Sequence, residues 1–217
     1  MDPFFVLRIS GIEQDKYAWY ETTNEANYGK APTCDLCGRF VGMKKWLPPY
    51  KLALKQPKTV GDFVAGSSGP DFIISKKALQ LFELNSIAGF EEVLPITVTK
   101  VGNKNAVDVP DLPVLFGVKV VRSSMRVLFD RMDVIWQTKP SSHYCKQCGP
   151  GGGGEVNGTW KSLTKIVVDE NTYQKVDIFT FANLPIITIS EKVKNLIQSN
   201  DLRNAIAIPI ADFSQSF

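Results

Sequence analysis

The chain has 217 residues, 44% of them hydrophobic and 22% charged, enough to bury a core in one domain or in two closely joined lobes. Its formal net charge of +3 is too small to argue for nucleic acid, and it lacks the apolar run of about 18 residues that a membrane-spanning helix needs. The opening MDPFFVLRIS has no basic region ahead of an apolar one, so no secretory signal is expected and the protein reads as cytoplasmic.

Residues 4–9 are expected to form a strand. The segment 17–28 is polar yet carries Tyr17, Trp19, Tyr20 and Tyr28. Such aromatics either lid the core or make binding contacts, because they bury much area at low entropic cost. Cys34-Asp-Leu-Cys37-Gly38 follows, and Gly and Pro between 55 and 70 predict a long loop. Residues 72–74 read as a short apolar strand. Ser75 is the expected N-cap of a helix KKALQLFELN, whose Ala78, Leu81 and Phe82 share a face. Strands are predicted over 93–101 and 115–121, with turns between them. Residues 123–136 are ambiguous: Met125, Leu128, Phe129 and Met132 suit a helix face, while Val134–Trp136 suits a strand. Cys145-Lys-Gln-Cys148-Gly149 comes next. The glycine run after it lacks the Lys-Ser/Thr of a phosphate-binding loop and reads as a slack loop. Further strands are predicted at 163–169, 187–190 and 206–213, with a helix at 191–200 capped by Ser190.

These features fall into a repeat. CxxCG recurs at an offset of 111 residues, and Trp46 and Trp160 at 114. Asp62 and Asp177, Pro70 and Pro185, Ile74 and Ile189, Ser75 and Ser190, Leu81 and Leu196, and Asn85 and Asn200 share an offset of 115. The order is the same each time: cysteine knuckle, Trp, long connection, strand, Ser-capped helix, strand. The unit is too long for a solenoid, so the expected fold is α+β, with two pseudo-repeated lobes. The organisation read from this is an N-terminal strand and aromatic segment (1–33), a first repeat (34–96), a connector with a strand (97–144) and a second repeat (145–217).

The four cysteines, all in CxxC pairs, carry the strongest chemical signal. A two-residue spacer lets both thiolates reach one tetrahedral metal, and the following Gly permits the tight turn. Cys34, Cys37, Cys145 and Cys148 are therefore the predicted ligands of one structural zinc, which requires the two halves to meet. A disulfide within each pair closes too short a loop to contribute much, about 2 kcal/mol against about 10–16 kcal/mol for zinc in small peptides. A redox CxxC usually opens a helix, and no helix is predicted after either pair. His143, the single histidine, reads as a solvated loop residue. No catalytic residue is predicted: one His beside a knuckle makes no nucleophile–base pair, and four cysteines leave zinc no open position.

The most positive segment, residues 97–144, has seven basic and four acidic side chains. Lys119, Arg122, Arg126 and Arg131 in it, with Tyr17, Trp19 and Tyr20, are the candidate partner contacts. A positive face would steer toward an acidic partner.

The two CxxCG motifs, Lys165–Asp169, Asp177-Ile178-Phe179, Ser190–Val193 and the first-half DFIISKKALQLF together resemble the double-CxxCG-motif family of bacterial immunity proteins from polymorphic toxin systems. The chain departs from the family pattern by lacking a Pro inside either CxxC and by its glycine run. The resemblance implies a non-enzymatic protein that binds a cognate toxin and occludes its active or target-binding site. An ADP-ribosyltransferase using NAD would suit an acidic contact face better than a nuclease would. The alternative reading is a nucleic-acid-binding zinc-knuckle protein, against which the absence of a basic stripe counts.

Overall fold

The structure, a computed structural model, describes residues 3–10, 16–23, 27–55, 59–66, 70–151 and 154–216. Parts of the predicted 55–70 loop, and Gly152 and Gly153 of the predicted slack loop, lie outside them; within the first, Phe63–Val64 is a buried strand rather than loop, and the glycine run ends in a four-residue helix, Gly154–Asn157, where no helix is predicted. The architecture is α+β and mostly strand. A central sheet is built from β1 (Phe4–Arg8), β2 (Phe63–Val64), β3 (Phe72–Ser75), β4 (Phe90–Pro95), β5 (Leu115–Arg122), β6 (Ile178–Thr180), β7 (Ile187–Ser190) and β8 (Ile206–Pro209). Its order is β8-β1-β7-β6-β5-β3-β2, with β4 also paired to β5. Two nine-residue helices, α1 (Lys76–Leu84) and α2 (Glu191–Ser199), follow β3 and β7 directly. No helix among the described residues is long and apolar enough to cross a membrane.

Strand alternation divides the core into layers. In β1, Phe5 and Leu7 face a cluster with Ala78, Leu79 and Phe82 of α1 and Val193 and Ile197 of α2. Phe4 and Val6 face the other way, into a cluster with Leu163, Phe179 and Phe213. In β3, Phe72 and Ile74 join the helix-side cluster, while Ile73 packs with Tyr20, Leu52 and Leu54 on the opposite face. Helices thus cover one face. The other is covered by two smaller sheets: one of Trp19–Thr22, Lys51–Lys55, Thr97–Val101 and Lys104–Asn105, and one of Asp133–Thr138, Thr159–Thr164 and Ser214–Ser216.

Strands from distant parts of the chain interleave. β1 lies between β7 and β8, with Phe5 opposite Ile189 on one side and Pro209 on the other. β5 lies between β3 and β4, with Phe116 opposite Ile74 and Pro95. β2 pairs β3 with Phe63 opposite Ile74, and β6 pairs β7 with Ile178 opposite Ile189. Residues 97–144, expected as a connector, thus supply a central strand. Each helix starts at its serine: Ala78 N–H donates to Ser75 Oγ at 3.2 Å and Val193 N–H to Ser190 Oγ at 3.5 Å. Each ends at an asparagine whose side chain donates to a last-turn carbonyl, Asn85 to Leu81 and Asn200 to Leu196.

Three predicted strands are shorter than expected. The 93–101 run breaks after Pro95, which has no N–H to continue a ladder; Thr97–Val101 then pairs Lys51–Lys55 in a different sheet. The 163–169 run breaks at Lys165, which is left-handed at φ 55°. The 206–213 run ends at Pro209 and continues as a 3-10 turn. The ambiguous 123–136 segment is two strand pieces, Arg126–Val127 and Asp133–Thr138, around a 3-10 turn.

Candidate metal centre

The two CxxCG motifs fold alike. Gly38 N–H donates to Cys34 O and Gly149 N–H to Cys145 O, both at 2.8 Å. Both glycines are left-handed, at φ 69° and 70°, a conformation that puts a Cβ under strain. The first knuckle is closed by Cys34 N–H to Arg39 O at 2.7 Å and by a bridge between Thr33 and Phe40. The second is braced by Trp160, whose Nε1 donates to Gly151 O at 3.1 Å. Gly151 lies against that indole, where a Cβ would fall 2.5 Å from the ring.

Tertiary packing brings the two motifs together. The sulfurs of Cys34, Cys37, Cys145 and Cys148 all lie within 4.8 Å of one another. Sulfurs approach across the motifs, Cys34 to Cys145 at 3.9 Å and Cys37 to Cys148 at 3.7 Å. Four thiols at such separations can hold one metal ion. Cys34 and Cys148 are buried, Cys37 is exposed, and none is in a disulfide.

The four thiols do not ionise equally. A hydrogen bond from Cys148 pulls Cys34 down to about 6, although burial opposes the shift. The Cys148 N–H lowers Cys145. Burial first, and then its bonds to the other thiols, push Cys148 up to about 12, while the Arg39 guanidinium acts in the opposite sense. A cation among the sulfurs would favour the fully ionised set.

Two arginines hold the second knuckle from outside. Arg39 Nη2 donates to Cys148 O at 3.4 Å. Arg126 donates to the carbonyls of Lys146 and Gln147, the latter at 2.9 Å. His143 is exposed, beside Ser142 at 3.1 Å, and is not among the clustered groups.

The candidate partner contacts are placed differently from one another. Tyr20 is only 1% exposed; its hydroxyl donates to Pro70 O, and it packs in the core, so it cannot be a surface contact. Tyr17 and Trp19 are half-buried, and Trp19 Nε1 is shielded with no partner among the described residues. Lys119 pairs with Glu91 at 3.1 Å, Arg122 donates to Ala182 O, and Arg126 is committed to the second knuckle. Of the four cations, Arg131 is exposed and unpaired among the described residues.

Three exposed apolar side chains gave no periodic signal in the sequence: Leu36, Phe40 and Met43, on the first knuckle, are 73%, 69% and 48% exposed. Lys30 and Lys44 on the same loop are exposed and unpaired among the described residues. Arg39 was also unflagged by sequence; its place directly after Cys37-Gly38 was the available signal. No protein-family model matches the chain, and none of the curated proteins compared with it matches in sequence.

Proposed function

We propose that this chain is an immunity-type binding protein, held together by one structural zinc ion, that neutralises a cognate antibacterial toxin by covering its active or target-binding face. The resemblance of both CxxCG motifs and their flanking segments supports the class. The observation that carries the architecture is the meeting of four thiols from motifs 111 residues apart. Four thiolates in a tetrahedral set suit zinc and leave it no open coordination position, so the ion acts as a rivet and the work of the protein is binding.

An internal duplication accounts for the interleaved strands. Phe5 and Phe116 occupy corresponding places between their neighbours at the knuckle offset of 111, and the β2–β3 and β6–β7 registers correspond at 115. On this reading each half inserts its first strand into the sheet of the other, and the zinc joins the two lobes at their knuckles.

The first knuckle supplies the contact face. Exposed apolar groups gathered on one loop commonly mark interaction sites, and Leu36, Phe40 and Met43 lie in the chain between Lys30 and Lys44, both unpaired among the described residues. That face suits a toxin surface with an apolar centre and an acidic rim. The test is co-expression with the toxin encoded beside the gene, followed by calorimetry on the purified pair. Rescue of growth and a Kd of about 1 nM or tighter are expected, with binding weakened at least about tenfold in L36S/F40S/M43S. A toxin that kills regardless of this protein would sink the reading.

A further inference from the structure

We propose that Arg39 is the counter-cation of the metal centre, a positioning residue that joins the two knuckles and offsets part of the charge of the metal-bound thiolates; this rests on the zinc reading above. Four thiolates around one divalent ion carry a net double negative charge. Two of the sulfurs belong to buried residues, Cys148 at 0% and Cys34 at 4% exposure. Charge taken out of water is costly unless an opposite charge or hydrogen bonds meet it.

Arg39 is built to meet it. Its backbone belongs to the first knuckle, where its carbonyl accepts from Cys34 N–H at 2.7 Å. Its side chain crosses to the second knuckle, where Nη2 donates to the carbonyl of Cys148 at 3.4 Å. Nη1 of the same guanidinium is shielded from solvent and has no hydrogen-bond partner among the described residues. A buried guanidinium N–H with no oxygen acceptor would be an uncompensated loss, whereas a thiolate centre beside it supplies the missing interaction. The position 111 residues on, directly after the second CxxCG, is Pro150, so only the first knuckle offers a cation there. Arg126 holds the same knuckle, but both of its contacts go to the carbonyls of Lys146 and Gln147. Arg39 therefore binds the two motifs through both charge and hydrogen bonding, as outer-shell partners of metal ligands do.

The experiment measures zinc affinity of the full chain by competition with a chromophoric chelator, for wild type, R39M and R39K, over a series of NaCl concentrations. R39M is expected to lose about 10–100-fold in affinity, the usual cost of removing an outer-shell partner, with the gap to wild type narrowing as salt rises. R39K keeps the charge and should stay within about tenfold of wild type. R39M binding zinc as tightly as wild type overturns the proposal. So does R39K falling as far as R39M with a gap that ignores salt, since the loss would then belong to packing. Should R39M not fold, R39Q takes its place: R39Q binding zinc as tightly as wild type, or R39K losing more than about tenfold with a gap that ignores salt, overturns the proposal. A wild-type chain that holds no zinc removes the metal reading itself, an outcome distinct from zinc-bound wild type with an indifferent R39M.

Discussion

Asp62 and Asp177, 115 residues apart, accept matching pairs of hydrogen bonds. One oxygen of each takes the hydroxyl of the helix-capping serine that follows it, Ser75 at 2.7 Å and Ser190 at 2.9 Å. The other takes a backbone N–H from the distant part of the chain, Arg203 for Asp62 at 2.9 Å and Ala88 for Asp177 at 3.0 Å. Each aspartate thus fixes the start of the helix near it and the turn after the other helix, so the two helices are ordered together.

This makes both aspartates stability determinants. Asp62→Ala should cost about 2–3 kcal/mol, because it strands the buried Ser75 hydroxyl, and Asp177→Ala about 1–2 kcal/mol, because its Ala88 partner is exposed and can turn to water. Ser75→Ala and Ser190→Ala should cost about 1 kcal/mol each, the usual value of a cap. Urea unfolding of the four variants checks the order. Aspartate variants no worse than the serine ones would show that the cross-chain bonds contribute nothing.

The clustered thiols should hold about one zinc per chain in protein prepared without chelator. Cys34→Ser and Cys148→Ser should each release the metal and lower the unfolding temperature together. Elemental analysis alongside thermal melts reads both. Two ions per chain, or melts indifferent to chelator, would rule out a shared structural site.

In metal-free protein the cysteines make stability depend on pH in two senses. Cys34, lowered from 9.0 to about 6, adds stability that is full above about 9 and lost as pH falls through about 6. Cys148, raised from 9.0 to about 12, adds stability that is full below about 9 and lost as pH rises toward about 12. Their joint contribution should peak near pH 9. Urea midpoints in chelator, taken from about pH 5.5 to 10.5, should lose the acid limb in Cys34→Ser, whereas Cys148→Ser should lose the alkaline limb and also weaken the acid one, because Cys148 supplies the hydrogen bond that lowers Cys34. Identical profiles in all three proteins would contradict the assignment.

The two knuckle glycines separate backbone strain from packing. A Cβ on Gly38 would meet nothing within 4 Å, so Gly38→Ala should cost only its positive φ, about 1–2 kcal/mol. A Cβ on Gly149 would come within 3.2 Å of Asn183 and 3.3 Å of Phe129, so Gly149→Ala should cost more. Equal losses on denaturation would mean that the second knuckle yields freely at that contact.

The sequence by itself determined what is local. Ser75 and Ser190 announced two helices because a hydroxyl at that position satisfies free N–H groups, and the apolar runs 72–74 and 187–189 placed the strands before them. The CxxCG spacing picked out all four clustered cysteines, since two intervening residues and a left-handed Gly are a property of a few bonds. Strand ends were less legible: the breaks at Pro95 and Lys165 depend on which neighbour the next residues pair with. Tertiary structure alone decided that Tyr20 lies inside and that Arg122 and Arg126 are spent on carbonyls, because burial and bonding partners depend on segments far along the chain. It also decided the insertion of β1 between β7 and β8 and of β5 between β3 and β4. Each of these strands is largely apolar on both faces and could pair with many partners; the register is selected by packing against the core clusters on both sides of the sheet at once.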